Sequence, residues 1–387
     1  MDFDSINHRR GTNCVKWDTA SDPDVIPMWV ADMDFKTAPC ITEAIARRVE
    51  HGIFGYTIVP QSYYDAITRW FDERHGWHIA TDWILYTSGV VPAISATIKA
   101  LTEPGDKVLI QTPVYNCFFS SIRNNGCSTA ENPLVYKDNR YEIDFEDFER
   151  KASDTDVKVF LLCNPHNPAG RVWTREELTR MNDICLSHGV TVISDEIHCE
   201  LVMPGHEYTP FASISDDCLN NSVTFNSPTK AFNIAGMQIA NIISNNAETR
   251  KKIDRAININ EICDVNPFGV IALQAAYNEG GAWLDELNEY LHENYLALRK
   301  YFDEHMPEIG ITHLEGTYLV WADIRSTGMT SDELTEKLLK DGHVLVNSGT
   351  MYGQKAGEGY VRINIATPRS VMIEGLERMA RVINNIH

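Results

Sequence analysis

The sequence contains no long apolar run and no cysteine motif of the kind that holds a metal or a disulfide framework. No stretch approaches the ~20 apolar residues of a membrane-spanning helix. The opening MDFDSINHRR also lacks the apolar core of a secretory signal. The nine cysteines include no CxxC pair or zinc-type cluster. We therefore expect a cytoplasmic protein with reduced thiols, without a metal site and without a membrane partner.

Positive charge is scarce, because 34 Lys and Arg residues stand against 54 Asp and Glu residues, for a formal net charge of −20. Such a charge repels phosphate backbones and anionic membranes, so we expect no nucleic-acid partner. Internal repeats, low-complexity tracts and Pro/Gly/Ser-rich linkers are also absent from the sequence. At 387 residues the chain exceeds one compact core, which predicts two intertwined domains.

Apolar, β-branched runs alternate with helical patterns from about residue 85 to about residue 245. Because these runs are apolar throughout, they are typical of strands covered on both faces. Between two of them a helix is predicted from Thr174 to His188, begun by a capping box of Thr174 and Glu177 and ended by Gly189. This order indicates an α/β fold with a largely parallel sheet. The runs are KVLIQ (107–111), VKVFLLC (157–163), VTVIS (190–194), SVTFN (222–226) and IANIIS (239–244).

The C-terminal part has shorter runs and predicts a smaller, antiparallel α+β unit. Thr330 and Glu333 begin a helix between its first two runs, and a final helix is expected near residues 370–386. In the third run, Arg362 and Asn364 share the face opposite to Val361, Ile363 and Ile365. The runs are TYLVWADI (317–324), HVLVN (343–347) and YVRINIA (360–366).

The two patterns lead to a division of the chain into three parts. We expect a large domain over residues 51–285 and a small C-terminal domain over residues 286–387. The N-terminal segment, residues 1–50, is expected to pack with the small domain.

Polar and aromatic residues follow five of the predicted strands. In open α/β sheets, ligands lie outside the carboxyl ends of the strands, so these residues are expected at one edge of the sheet. They are Ser88, Gly89, Val90 and Val91 after WILYT (83–87), Tyr115 after the run 107–111, Asn164 and Asn167 after 157–163, Asp195, Glu196 and His198 after 190–194, and Ser227, Thr229 and Lys230 after 222–226.

These residue types match the needs of pyridoxal 5′-phosphate (PLP). Lys230 offers the amine for its aldehyde, and Asp195 offers the carboxylate that keeps the pyridine nitrogen protonated. Asn167 offers a donor to the phenolic oxygen, and Tyr115 a flat cover for the ring. The phosphate is expected at the backbone N–H groups of Val90 and Val91, with the hydroxyl of Ser227.

Each residue alone has an ordinary structural interpretation. A lysine after a strand is usually a solvated charge, an Asp-Glu pair a cap or an ion pair, and Asn-Pro a turn. Tyr115 and His198 alone would be core residues more often than site residues. The prediction depends on all of them standing at successive strand ends.

Several strings resemble one enzyme family. SGVVPA, TPVYNCF, NPHNPAGR, SDEIHCEL and SPTKAFNIAG, in this order, resemble fold-type I PLP enzymes related to aspartate aminotransferase. With MWVADMDF (28–35) and FGYT (54–57), the chain is most similar to the MalY/PatB group of C–S lyases, the cystathionine β-lyases, from about residue 7 onward. His198 and Gln238 stand where many transaminases have tyrosine and arginine, which suits the lyase group.

The resemblance implies the roles of the site residues. Lys230 would form the Schiff base with PLP, Asp195 would pair with the pyridinium, and His198 would contact the cofactor. Arg362 would bind the α-carboxylate of an amino-acid substrate, with Asp32, Tyr115 and Asn167 as further substrate contacts. Tyr56 would reach the cofactor phosphate of the neighbouring subunit, so that a homodimer shares its active sites.

The activity implied is β-elimination, in which freed Lys230 acts as the base at Cα. Cystathionine would give homocysteine, pyruvate and ammonia, and other cysteine S-conjugates are alternatives. Two further interpretations stay open: an aminotransferase on the same fold, and a PLP-fold regulatory protein that acts through protein contacts.

Overall fold

The computed structural model describes residues 1–259 and 264–386. The helices, in chain order, are α1 (Val15–Asp18), α2 (Pro39–His51), α3 (Gln61–His75), α4 (Val90–Leu101), α5 (Asn116–Asn124), α6 (Phe145–Ala152), α7 (Arg175–Ser187), α8 (Asp216–Asn220), α9 (Ala247–Asn258), α10 (Pro267–Glu279), α11 (Gly281–His305), α12 (Ser331–Gly342) and α13 (Arg369–Ile383). None of the helices within these described ranges is long and apolar enough to cross a membrane.

The strands form one large sheet, one small sheet and two short pairs. In chain order they are β1 (Ile26–Pro27), β2 (Ile84–Thr87), β3 (Lys107–Thr112), β4 (Ser128–Pro133), β5 (Val135–Lys137), β6 (Arg140–Glu142), β7 (Val157–Cys163), β8 (Thr191–Asp195), β9 (Ser222–Asn226), β10 (Ala240–Ile243), β11 (Gly310–Ile311), β12 (Leu319–Asp323), β13 (Val344–Leu345), β14 (Asn347–Ser348) and β15 (Tyr360–Asn364).

The large sheet has seven strands in the order β2-β10-β9-β8-β7-β3-β4. Only β10 runs against its neighbours in this sheet, so the predicted largely parallel sheet is confirmed. The carboxyl ends of β2, β3, β7, β8 and β9 consequently meet at one edge. The edge strand β4 was not predicted, because its sequence STAENP is mostly polar and partly exposed.

The central strand β7 shows why the apolar runs become buried strands. Phe160 and Leu162 belong to the hydrophobic cluster on one face of the sheet, whereas Val159 and Leu161 belong to the cluster on the other face. Helices cover both clusters, so every residue from Val159 to Cys163 is buried.

The crossover helix α7 begins and ends as its sequence predicts. The Thr174 hydroxyl accepts a hydrogen bond from the Glu177 N–H, and the Glu177 carboxylate accepts one from the Thr174 N–H. Beyond its last turn, Gly189 has φ +70°, a left-handed conformation that favours glycine. The same capping box, formed by Thr330 and Glu333, begins α12.

The small sheet is antiparallel, in the order β11-β12-β15-β14. The single strand expected over residues 343–347 is wrong: the segment divides into β13, which pairs with β1, and β14, which pairs with β15. The division occurs because the N-terminal segment supplies a second partner, with the N–H of Met28 donating to the Leu345 carbonyl at 2.8 Å. The helix α11 runs across residues 285 and 286, where the sequence suggested a domain boundary.

Candidate active site

A cavity of about 450 Å³ lies at the carboxyl edge of the large sheet, between that sheet and the small one. Its lining combines ends of parallel strands with the strand β15 and with the N-terminal segment. Most of the predicted site residues line it, namely Val90, Val91, Tyr115, Asn167, Asp195, His198, Lys230 and Arg362.

Lys230 lies in the turn after β9 and is partly buried. Its Nζ donates a hydrogen bond to the Ala31 carbonyl at 2.6 Å. Burial and the nearby Arg362 charge lower the pKa of Lys230 to about 8, although the Asp32 and Asp195 carboxylates oppose this effect. About a tenth of this amine is therefore unprotonated at pH 7 and available as a nucleophile or base.

Asp195 is the last residue of β8 and is only 3% exposed. Burial, with the neighbouring Glu196 charge, raises the pKa of Asp195 to about 7, although the Ile197 N–H and the Lys230 charge oppose the rise. Its Oδ1 accepts that N–H at 3.2 Å. Within the described ranges, no lysine, arginine or histidine nitrogen lies within 4.0 Å of its carboxylate. A buried carboxylate that lacks a counter-ion among the described residues fits the protonated pyridine nitrogen of PLP.

Arg362 extends from β15 into the cavity and is 3% exposed. Its Nη2 donates to the Trp29 carbonyl at 2.7 Å, and its Nη1 donates to Asn167 Oδ1 at 3.2 Å. The Nε atom is buried without a hydrogen-bond partner among the described residues, and no carboxylate there forms an ion pair with the guanidinium. A buried, uncompensated guanidinium suits a substrate carboxylate. Val361 and Ile363 pack in the core, which confirms the prediction that they lie on the face of the strand opposite to Arg362.

The start of α4 supplies the amides for an anion. Val90 and Val91 are its first residues, and no side chain caps this end of the helix. The first N–H groups of a helix have no acceptor inside the helix, so they favour a phosphate at this position. The residues at the strand ends thus fit the aldehyde, the ring and the phosphate of one PLP molecule.

The Ser227 hydroxyl is occupied by the chain itself. It donates to the Ile239 carbonyl at 2.6 Å and forms a 2.8 Å hydrogen bond with the Thr229 hydroxyl. Ser227 does not line the cavity, whereas Thr229 and Gln238 do. Besides Thr229, Ser88 also lines the cavity, directly before the N-cap Gly89 of α4, so these two residues bring hydroxyls to the cavity where Ser227 does not.

His198 and Tyr115 are neutral groups of the cavity. Burial, reinforced by the Lys230 and Arg362 charges, lowers the pKa of His198 well below its usual value, so the imidazole carries no charge. Its Nδ1 is buried without a partner in the described part of the chain. Burial also raises the pKa of Tyr115, which stays a phenol and offers a flat, uncharged ring.

Two more predicted site residues, besides Ser227, do not line the cavity of their own chain. The Asp32 carboxylate turns away to form an ion pair with Arg9, with 2.6 Å between Oδ2 and Nη2. Tyr56 lies in the irregular segment between α2 and α3 and is 97% exposed.

The sequence did not indicate several residues that line the cavity: Trp29, Val30, Ala31, Asn116, Ile197, Asn347, Met351 and Tyr352. Asn347 lies opposite Arg362 in the antiparallel pairing of β14 with β15, a register that the sequence alone did not indicate. The aromatic ring of Tyr352 packs on that guanidinium, with 4.8 Å between Cζ and the ring centre.

Comparison with known proteins gives consistent results. Residues 23–379 match the family Aminotransferase class I and II. The chain is 44% identical to the cystathionine β-lyase PatB of Bacillus subtilis (strain 168), over 99% of this chain and 100% of PatB. It is 32% identical to protein MalY of Escherichia coli (strain K12), over 100% of both chains.

Solved structures agree with the chain over its length. Cystalysin from Treponema denticola, which contains a PLP cofactor, has a TM-score of 0.97 and 36% identity, over 100% of this chain and 99% of cystalysin. The PLP-bound C–S lyase from Staphylococcus hominis has a TM-score of 0.92 and 34% identity, over 99% of both chains. On this evidence the chain belongs to the aminotransferase class I and II family and is an enzyme with pyridoxal 5′-phosphate as its cofactor.

Proposed function

We propose that this enzyme is a C–S β-lyase that cleaves L-cystathionine or related cysteine S-conjugates to a thiol, pyruvate and ammonia. With cystathionine the thiol is homocysteine. The observation that carries the proposal is the cavity itself. The Lys230 amine, the buried Asp195 carboxylate and the Arg362 guanidinium line one space, and in the described part of the chain no carboxylate pairs with that guanidinium. The similarity to PatB, named a cystathionine β-lyase, and to the C–S lyase of Staphylococcus hominis supports this reaction over others of the family.

Different residues of the cavity would bind different parts of the cofactor. Lys230 would hold the aldehyde end, Asp195 the pyridine nitrogen and Asn167 the phenolic oxygen. The Val90 and Val91 amides would hold the phosphate, and Tyr115 would cover the ring. His198 would lie beside the cofactor as a neutral group.

The remaining groups handle the substrate. PLP, when bound, supplies the electron sink that acidifies the Cα–H bond of an amino acid. Arg362 binds the substrate carboxylate through its planar fork, with Asn167 and Tyr115 as neighbours, and so fixes the position of Cα. Lys230 takes the Cα proton on Nζ, because a pKa of about 8 leaves part of this amine unprotonated near neutral pH. The electron pair left at Cα then forms the Cα–Cβ double bond as the Cβ–S bond breaks, and the sulfur takes up a proton and leaves as the thiol. The released aminoacrylate takes up water and gives pyruvate and ammonia.

We also propose that the enzyme is a homodimer in which Tyr56 completes the site of the other subunit at the cofactor phosphate. Tyr56 is 97% exposed, and the nearby Ile53, Phe54 and Ile58 are also exposed. A contiguous exposed apolar segment indicates an interaction surface, and a symmetric pair is the commonest oligomer. A second copy of the chain over this segment accounts for its exposure.

Two further proposals concern the location and organisation of the chain. We place the enzyme in the cytoplasm, which is supported by the free thiols of the cysteines in the described ranges. We also divide the chain into a segment 1–50, a large domain 51–285 and a small domain 286–387. The pairing of β1 with β13 supports packing of the first segment with the small domain. Residues 260–263 of the large domain lie outside the described residues.

Product analysis tests the proposed reaction. The purified enzyme with PLP is incubated with L-cystathionine without any keto acid, and thiol, pyruvate and ammonia are measured. Equal amounts of thiol and pyruvate are expected. A strict need for a keto-acid acceptor, with transfer of the amino group as the main outcome, would instead identify an aminotransferase.

A further inference from the structure

The main-chain carbonyls of residues 29–32 accept hydrogen bonds from side chains distant in sequence, and the first three of these residues line the cavity. Arg362 and Asn347 donate to the Trp29 carbonyl. Asn364 donates to the carbonyls of Val30 and Asp32. The Ala31 carbonyl differs from the others, because Lys230 Nζ is one of its donors, at 2.6 Å.

The second donor to the Ala31 carbonyl is the hydroxyl of Tyr318, at 3.0 Å. Tyr318 is completely buried, and burial raises the pKa of its phenol far above the usual value, so the hydroxyl keeps its proton as a donor. Its ring meets the His198 ring edge to face, with 6.2 Å between the ring centres. One carbonyl thus joins a fixed phenol to the amine of the site.

The backbone beside Tyr318 is held in an uncommon conformation. Thr317 has φ +71°, in the left-handed region that a β-branched residue rarely adopts. Its N–H donates to the Leu201 carbonyl at 2.7 Å, and its hydroxyl accepts the N–H of Leu319 at 3.1 Å. A strained residue persists where its surroundings fix it, and such residues occur at functional sites. Here the two hydrogen bonds of Thr317 hold the backbone that carries the neighbouring Tyr318.

We propose that Tyr318 is a positioning residue for Lys230. Its hydroxyl fixes the Ala31 carbonyl, and that carbonyl holds the lysine amine in the position from which the amine removes the substrate's Cα proton. The inference rests on the proposed lyase function. In that reaction the Cα–H bond breaks, its electron pair stays on the substrate, and the proton forms a new N–H bond with Lys230 Nζ. The amine becomes an ammonium in this step. Its hydrogen bond to Ala31 becomes charge-assisted and therefore stronger at that moment.

The test compares Tyr318→Phe with Tyr141→Phe, both as enzyme with PLP, on L-cystathionine and its Cα-deuterated form. Tyr141 is a matched control because it is also buried, with its hydroxyl accepting the Trp321 Nε1–H at 3.0 Å away from the cavity. For Tyr318→Phe we expect kcat to fall about three- to tenfold, as for the loss of one hydrogen bond. KM should stay nearly unchanged, while the deuterium isotope effect rises because proton removal becomes slower. Tyr141→Phe should match the wild type.

A second measurement uses the protein without PLP. The acetylation rate of Lys230 is followed against pH by mass spectrometry. A hydrogen bond to the ammonium favours the charged form, so a loosened carbonyl should move the midpoint to lower pH in Tyr318→Phe. An isotope effect and a midpoint both equal to those of the wild type would overturn the proposal.

Two further outcomes are covered by this design. If Tyr318→Phe does not fold, judged by circular dichroism, Thr317→Gly replaces it, because glycine removes the hydroxyl that accepts the Leu319 N–H and makes the backbone beside the same tyrosine more flexible. The same changes are expected, and their absence has the same meaning. If the wild type releases no thiol and pyruvate, the lyase function fails, whereas the acetylation midpoint still decides whether Tyr318 positions Lys230.

Discussion

Replacing Asp195 with asparagine should make the protein without PLP more stable at pH 8. Asp195 is 3% exposed, and its pKa is raised from the ordinary 3.8 to about 7, chiefly by burial. Between these values the folded chain binds a proton that the unfolded chain has lost, so stability falls as the pH rises. Because the two pKa values differ by about three, the buried carboxylate lowers the free energy of unfolding by about 4 kcal/mol at pH 8. At pH 5 it lowers this free energy by less than half as much. Asparagine has a similar shape and no charge to bury.

Urea unfolding followed by tryptophan fluorescence, at pH 5 and pH 8, measures this effect. Asp195→Asn should unfold at higher urea than the wild type, with the larger gain at pH 8. Asp34→Asn is the matched control, because Asp34 is equally buried but lies 2.8 Å from Lys16 Nζ. Burial acts to raise the pKa of Asp34, but the ion pair outweighs it and lowers the pKa. This variant should therefore lose up to about 3–5 kcal/mol at pH 8, since it removes the closer of the two carboxylates that pair with the buried Lys16.

With PLP bound, Asp195→Asn should lower the stability of the protein instead of raising it. An amide cannot balance the charge of the pyridinium, so the variant should retain PLP less tightly and lose turnover. If Asp195→Asn without PLP is no more stable than the wild type at pH 8, the carboxylate is not the buried, uncompensated charge described above, and the reasoning is refuted.

The other predictions concern the substrate, the cofactor and the dimer. Arg362→Lys should raise KM about tenfold or more, because lysine keeps the charge but loses the two-point fork; the exposed Arg325→Lys should leave KM unchanged in steady-state assays. Borohydride should fix PLP to Lys230, located by peptide mapping, and Lys230→Ala should bind PLP without turnover; a label on another lysine contradicts the assignment. Mixing inactive Tyr56→Ala and Lys230→Ala proteins should restore some activity through mixed dimers. No recovery after verified subunit exchange would place Tyr56 in the site of its own chain.

Much of the large sheet could be predicted because burial on both faces leaves a direct trace in the sequence. The runs 107–111, 157–163 and 222–226 match strands to within one residue. The polar strand β4 left no such trace, since it lies at the edge and its outward positions are solvated. The division of residues 343–347 into two strands depends on a partner more than 300 residues away in the chain, β1, and no local pattern carries that information.

The same limit applies inside the active site. Side chains at strand ends could be placed at the cavity because the parallel sheet brings these ends together. The hydrogen-bond partners of these side chains could not be predicted. The Ser227 hydroxyl is of the right type to bind a phosphate, yet it donates to the Ile239 carbonyl, which only the folded chain brings near. A sequence thus indicates which groups are available at a site, while competition within the fold decides which of them remain free.

The segment MWVADMDF shows this most clearly. The resemblance drew attention to Asp32, the charged side chain, as a substrate contact. In the fold the Asp32 carboxylate turns to Arg9, and the preceding residue contributes its main-chain carbonyl to Lys230 instead. A carbonyl is common to every residue, so no residue type at position 31 reports its role. Side chains that fix such a carbonyl do leave a trace, and Tyr318 is the one whose replacement can be measured at the lysine itself.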